Sequence, residues 1–112
     1  MDKAIKYEQT VSELLDEYVD FWGSSHGINR RVIADKAHHT YQLITYGWQD
    51  GKRYVHNIAF HIEIIGGKIW IHQNNTEAMI ADELMEKGVD KNDIVLGFIA
   101  PNERIHTGFA IA

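Results

Sequence analysis

The chain of 112 residues contains no cysteine and only one proline, Pro101. The lack of cysteine excludes disulfide bridges, thiolate metal ligands and a cysteine nucleophile. No apolar run approaches the ~20 residues that span a bilayer, and the charged first stretch, MDKAIKYEQT, lacks the apolar segment of a secretory signal. We therefore expect a cytoplasmic protein, and from the length we expect a single domain over residues 1–112.

Clustered positive charge is also missing. The formal net charge is -5, and the only adjacent basic pairs are Arg30-Arg31 and Lys52-Arg53. Proteins that bind a phosphate backbone need a basic patch. We therefore expect no direct nucleic-acid binding by this chain alone, whereas an acidic chain suits a basic protein partner.

Residues 3–22 show the apolar periodicity of an amphipathic helix, which Gly23 ends. The apolar stripe consists of Ala4, Tyr7, Val11, Leu14, Leu15, Tyr18 and Trp22. The acidic positions beside it are Asp2, Glu8, Glu13, Asp16, Glu17 and Asp20. They form either the solvated face of the helix or a docking strip for a basic partner.

The period then changes to that of β-strands. Runs rich in β-branched and aromatic residues predict strands at about 29–36, 39–49, 53–65 and 68–73. Asp50-Gly51 and Gly66-Gly67 are hairpin turn signals. The strand register at Asp50-Gly51 stays open, because more than one turn geometry fits.

A second helix is predicted after the capping residues Asn74, Asn75 and Thr76, with Gly88 at its end. Asn74 and Glu77 have the spacing of a capping box. The order of elements indicates an α+β fold. We expect a long N-terminal helix and a second helix packed on one face of an antiparallel β-meander.

The hairpin around Gly66-Gly67 has a definite register if these two glycines form the turn. The resulting cross-strand pairs are Ile65 with Lys68, Ile64 with Ile69, Glu63 with Trp70, Ile62 with Ile71 and His61 with His72. Ile58, Phe60 and Ile62 would then face the helices.

The polar side of this hairpin has two interpretations. His61, Glu63 and His72 could form a metal site or an acid/base group in a small hydrolase-like enzyme. Alternatively, the histidines face solvent or a partner. We favour the second interpretation because the spacing supplies no further ligand, and we expect no catalytic residue, no bound metal and no cofactor.

Aromatic residues lie on the outer side of the predicted sheet, where a singly covered sheet should be polar. We predict a partner-binding surface formed by Trp48, Arg53, His61, Trp70 and His72. The same surface predicts a homodimer or a larger homo-oligomer. The alternative is that the C-terminal segment of the chain covers these aromatic residues.

Several stretches resemble the XisI family of fdxN element excision controlling factors from filamentous cyanobacteria. They are YGWQDGKRYVHN, HIEIIGGKIWIHQNNTE, IADELMEKGVDKNDIVLGF and TGFAIA. The resemblance implies an accessory protein of programmed DNA excision that works beside an XisH-like companion protein and a separate recombinase. It supplies no catalytic residue, so it favours a non-enzymatic protein that binds its companion.

Overall fold

The computed structural model describes residues 3–112. Helix α1 spans Lys3–Trp22, as the apolar period predicts. Its buried residues are Tyr7, Val11, Leu14, Leu15 and Tyr18. Among its acidic positions, Glu13, Asp16, Glu17 and Asp20 are exposed, whereas Glu8 is half-buried and bonded to His39. Asp2 lies outside the described residues.

The strands within residues 3–112 form one five-stranded sheet in the order β1-β2-β3-β4-β5. The strands are β1 (Ile28–Asp35), β2 (Thr40–Gln49), β3 (Arg53–Ile65), β4 (Lys68–Asn74) and β5 (Ile94–Leu96). The first four pair antiparallel in sequence order, as predicted. Strand β5 pairs parallel with β4 and is an addition to the four-stranded antiparallel meander that we predicted. A strand of three residues is too short for its period to identify it.

Helix α2 spans Ile80–Glu86 and starts later than the predicted capping box. Asn74 accepts a hydrogen bond from the Thr76 amide at 2.9 Å, and Thr76 accepts one from the Ala78 amide at 3.0 Å. These polar side chains therefore stabilise a turn before the helix, and Met79 caps it without a side-chain bond. Short 3-10 turns follow at Lys91–Asp93 and Pro101–His106.

Both helices contribute to one hydrophobic core against the sheet, as the predicted α+β class requires. We call the sheet face that packs on α1 the inner face and the opposite one the outer face. The buried inner-face residues are Tyr41, Leu43, Phe60, Ile62, Ile64, Ile69 and Ile71, and α2 adds Ile80 and Leu84. None of the helices found in residues 3–112 is long and apolar enough to cross a membrane.

A β-bulge in β3 changes which side chains reach the core. Leu43 pairs with Phe60 but Ile44 pairs with Ile58, so that Ala59 is an extra residue. Ala59 is buried while Ile58 is only half-buried. The prediction that Ile58 packs in the core is wrong, because the extra residue reverses the alternation of the strand beyond it.

A buried carboxylate links the start of α1 to the start of β5. The Tyr7 hydroxyl donates a hydrogen bond of 2.6 Å to Asp93, and the Lys3 ammonium lies 3.1 Å from the same carboxylate oxygen. Burial on its own raises the pKa of Asp93, but the bonds from Tyr7 and Lys3 outweigh it and hold this pKa below its usual range. Burial and the bond to Asp93 raise the pKa of Tyr7 to about 12.

Replacing this carboxylate should destabilise the protein in a pH-dependent way. We expect Asp93→Asn to lower the free energy of unfolding at neutral pH by about 1–3 kcal/mol, because hydrogen bonds to charged groups contribute this much. A carboxyl group whose pKa is lower in the folded state than in the unfolded state stabilises the fold at pH values above its unfolded pKa of about 3.9. This contribution is lost as the pH falls through the folded-state pKa. Urea denaturation of both proteins at pH 7 and at low pH measures the difference.

The control is Asp16→Asn, which removes an exposed carboxylate from α1. It should leave the stability nearly unchanged at both pH values. If Asp93→Asn and the parent lost stability equally on acidification, the Asp93 carboxylate would not be the linked group.

Candidate partner-binding surfaces

The far end of the β2–β3 hairpin extends beyond the hydrophobic core. No residue from 44 to 58, all of which the structure describes, is buried. Helix α1 ends at Trp22, whose ring stacks on that of Phe60 at 6.0 Å between centroids. The segment beyond this contact extends past the end of α1, with β1 paired alongside it only as far as Gly47, and we call residues 46–56 the hairpin arm.

The turn of the hairpin arm settles the register that the sequence left open. Gln49 pairs with Arg53, which leaves Asp50, Gly51 and Lys52 as a three-residue loop. Asp50 and Gly51 have φ angles of 52° and 69°, a region that Asp tolerates and that Gly adopts freely. Trp48 consequently lies directly opposite Tyr54.

Trp48 and Tyr54 form an exposed aromatic pair on the outer face of the hairpin arm. Their ring centroids are 5.2 Å apart, and they are 57% and 56% exposed. His56 extends the row, with its ring stacked on Tyr54 at 6.3 Å. Exposed aromatic rings held in fixed positions are the usual anchors of protein interfaces.

Arg53 does not join this aromatic pair. It lies next to Tyr54 along β3, and successive side chains of a strand point to opposite faces. Its cross-strand partner is Gln49, on the face away from Trp48. The prediction that Arg53 and Trp48 share one surface is therefore wrong for this register.

The hairpin arm is braced along one edge, from Gly47 to the turn residue Asp50, by the loop that precedes β1. The Asp50 amide donates a hydrogen bond of 2.7 Å to the His26 carbonyl. Gly27 and Gly47 come so close that a Cβ on Gly47 would lie 2.1 Å from the Gly27 carbonyl oxygen. Only glycine permits this approach, so the sequence fixes the loop against the arm.

The predicted histidine group lies at the opposite end of β3. His72 Nε2 lies 3.0 Å from Glu63 Oε1, and the His61 and His72 ring centroids are 4.9 Å apart. His61 pairs with Gln73 across the strands and not with His72, because β4 has a bulge at this point. The predicted direct pairing of the two histidines is wrong, yet the bulge still brings their rings together.

The C-terminal segment covers Trp70, the aromatic member of this group. The Arg104 guanidinium lies 5.1 Å from the centroid of the Trp70 ring, within cation–π range. The Gly97 amide donates a hydrogen bond of 2.8 Å to the Ile71 carbonyl, which brings the segment against the strand. For Trp70, the alternative that the chain covers its own aromatic residue is the one observed.

The predicted surface therefore divides into two separate parts. Tyr54 and Glu63 are nine positions apart on β3, which corresponds to about 30 Å along a strand. Trp48 belongs to the hairpin arm, while His61, Trp70 and His72 belong to the histidine group. These residues do not form one contiguous patch.

The electrostatics of the histidine group favour the neutral form of His61. Burial lowers the pKa of His61, the nearby His72 lowers it further, and Glu63 opposes the shift. Within residues 3–112, no set of three or more His, Asp or Glu side chains is arranged to hold a metal ion. The group has the geometry of a hydrogen-bonded cluster packed under the C-terminal segment.

Sequence reasoning missed Tyr54, His56 and Arg104. The alternation of aromatic residues on both sides of Asp50-Gly51 could have identified the first two, once the three-residue loop was assumed. The contact of Arg104 with Trp70 joins residues far apart in sequence. No local pattern indicates such a contact.

A family model described as XisI protein matches residues 1–111 of the chain. The chain belongs to the XisI family. A crystal structure of a XisI-like protein from Anabaena variabilis is 36% identical, with a TM-score of 0.89 over 97% of this chain and 99% of that one. The structure of the fdxN element excision controlling factor XisI from the same organism is 38% identical, with a TM-score of 0.84 over 99% and 100% of the two chains. No curated protein gives a significant match.

We predict that this XisI family member binds no transition metal tightly. Because the histidine group lacks a suitably placed further ligand among the described residues, its affinity for zinc should be low. Elemental analysis of protein purified without a histidine tag checks this. Stoichiometric zinc that disappears in a His61→Ala, His72→Ala double variant would contradict the prediction and support the enzyme interpretation.

Proposed function

We propose that the protein is a cytoplasmic, non-enzymatic accessory factor in the control of DNA element excision. One structural relative, 38% identical along the full chain, is named as an fdxN element excision controlling factor. The histidine group supports a structural role better than a catalytic one, because Glu63 and His72 bond each other and Arg104 packs beside them on Trp70. We propose further that this factor acts by binding an XisH-like companion protein.

The exposed Trp48–Tyr54 pair is the observation that carries this proposal. These rings lie beyond the core at the end of a braced arm, where burial within the chain does not account for them. Aromatic residues that cost little entropy to fix are favoured as interface anchors. The net charge of -5 supports a role in which a protein partner contacts the DNA.

Loss of either ring should weaken binding to the companion. We expect Trp48→Ala and Tyr54→Ala each to raise the Kd for a purified XisH-like protein by at least about tenfold, which corresponds to ~1.4 kcal/mol. Isothermal titration calorimetry measures the affinity. Circular dichroism and thermal unfolding should show an intact fold, because neither residue is in the core.

The matched control is Ile105→Ala, which removes an apolar side chain that is 71% exposed on the last 3-10 turn. It should bind like the parent protein. If Trp48→Ala and Tyr54→Ala bound normally and Trp70→Ala did not, the histidine end of the sheet would be the docking surface. Normal binding by all three variants would refute the outer face as the site.

We also propose that the free protein forms a homodimer through the hairpin arm. Gel filtration with light scattering should give about twice the chain mass of 12.9 kDa. Trp48→Ala should shift the mass toward that of the monomer, since it removes the largest exposed ring of the arm. A monomeric parent protein at high micromolar concentration would contradict the dimer.

A further inference from the structure

A second surface lies on the helix side of the molecule, in a groove of about 880 Å³ between α1 and α2 together with the turn before α2. Its apolar part includes Tyr18 and Trp22 from α1. Phe21 and Met79 stand at the groove and are 82% and 67% exposed. Among the described large apolar side chains, Phe21 is the most exposed, and only Ile105 comes between it and Met79.

The remaining lining of the groove is acidic. Its carboxylates are Glu17, Glu77, Asp82, Glu83 and Glu86, and no Lys, Arg or His lines it. Glu17 is neutralised by Lys87 at 2.6 Å. Among residues 3–112, the other four carboxylates have no ion-pair partner. The groove therefore presents uncompensated negative charge beside exposed apolar rings.

Two polar atoms in the walls of the groove are buried without a hydrogen-bond partner in the described chain. They are the Tyr18 hydroxyl and Glu83 Oε2. Tyr18 as a whole is only 9% exposed. Buried polar groups are nearly always satisfied, since each unmade bond costs free energy. Two such groups in the walls of one groove are available to pair with a group that another molecule supplies.

The surroundings of Glu83 disfavour its charged form, and a bound cation would relieve this effect. Burial raises the pKa of Glu83, the neighbouring Glu86 and Glu17 raise it further, and Lys87 only partly opposes them. A positive group brought into the groove would reverse this shift and stabilise the carboxylate.

Arginine fits this set of groups better than lysine. Its planar guanidinium offers several donors, which can satisfy a carboxylate and a hydroxyl together, and its flat face packs on aromatic rings. The exposed Phe21 and Met79 require apolar neighbours on the same ligand. An amphipathic helix presents both kinds of side chain when they recur every three or four residues.

We propose that the α1–α2 groove binds an arginine-bearing amphipathic helix of a partner protein, whose guanidinium pairs with Glu83 and Tyr18 and whose apolar side chains cover Phe21 and Met79. The groove lies on the helix side of the sheet and the hairpin arm projects beyond the core. This inference therefore does not depend on the function proposed for the Trp48–Tyr54 pair.

A displayed library of helical peptides, selected on the full chain, tests the proposal without a known partner. The enriched peptides should carry Arg together with Leu, Ile or Phe at spacings of three and four residues. A synthetic copy of the strongest binder, titrated into isotopically labelled protein, should shift the amide resonances of residues 17–22 and 77–86. Enrichment of peptides without basic residues, or shifts confined to other segments, would overturn the proposal.

Variants of the unpartnered groups provide the decisive comparison. Glu83→Gln and Tyr18→Phe should each weaken binding of the selected peptide at least about tenfold, while the Tm of the free protein stays equal or rises. The rise is expected because each change removes an unsatisfied buried polar group or an unfavourable charge. Unchanged affinity in both variants would refute the assignment.

Three further variants, all at exposed residues, keep the test valid if a buried change disturbs the fold. Phe21→Ala alters an exposed side chain, so the fold should persist and binding should still fall about tenfold. Glu103→Gln removes one exposed charge outside the groove and should bind like the parent. Trp48→Ala should retain peptide binding, which separates a failure of this inference from a failure of the function proposed above. Equal binding by Phe21→Ala and the parent would contradict the groove.

Discussion

The burial of one stripe of α1 against the sheet is the interaction on which the other features depend. Val11 and Leu15 are completely buried where the helix crosses the inner face. This contact uses the inner face of the sheet and leaves the outer face to the C-terminal segment, which covers Trp70 at the histidine end. It also sets where the core ends, because the helix stops at Trp22 while the β2–β3 hairpin continues. The exposed hairpin arm and the acidic side of α1 both follow from this placement.

The sequence predicts those parts of the fold that depend on local periodicity. The stripe of α1 and the glycine pair at residues 66 and 67 gave the correct helix and the correct first pairs of the β3–β4 hairpin. The bulges at Ala59 and His72 were not predictable, because an extra residue is chosen by packing against neighbouring strands. For the same reason sequence reasoning placed Ile58 in the core, whereas the register left open at Asp50-Gly51 led it to group Arg53 with Trp48. The cover that Arg104 provides for Trp70 depends on a contact between distant parts of the chain.

The two ends of the outer face differ in how many of their polar groups and aromatic rings have partners within the chain. At the histidine end, Glu63 bonds His72 and Arg104 lies over Trp70. These contacts provide polar groups and rings with partners from the same molecule. At the hairpin arm, Trp48 and Tyr54 contact each other but remain more than half exposed. The same contrast separates the Asp93 carboxylate, which has two internal donors, from Glu83 in the α1–α2 groove. The proposed binding surfaces therefore differ from the structural contacts less in residue type than in their unpaired polar groups and uncovered aromatic rings.

The close approach of Gly27 to Gly47 has a consequence for how fast and how tightly the arm can engage a partner. A free two-stranded ribbon fluctuates, and it would have to be immobilised at the moment of contact. Here the carbonyl of His26 and the glycine contact hold one edge of the ribbon, from Gly47 to the turn at Asp50, before any encounter. The aromatic pair is thus pre-organised, and little conformational entropy is left to lose on association. A side chain larger than hydrogen at residue 47 would not touch the partner, but it would make the hairpin arm more flexible and so raise the entropy lost on binding.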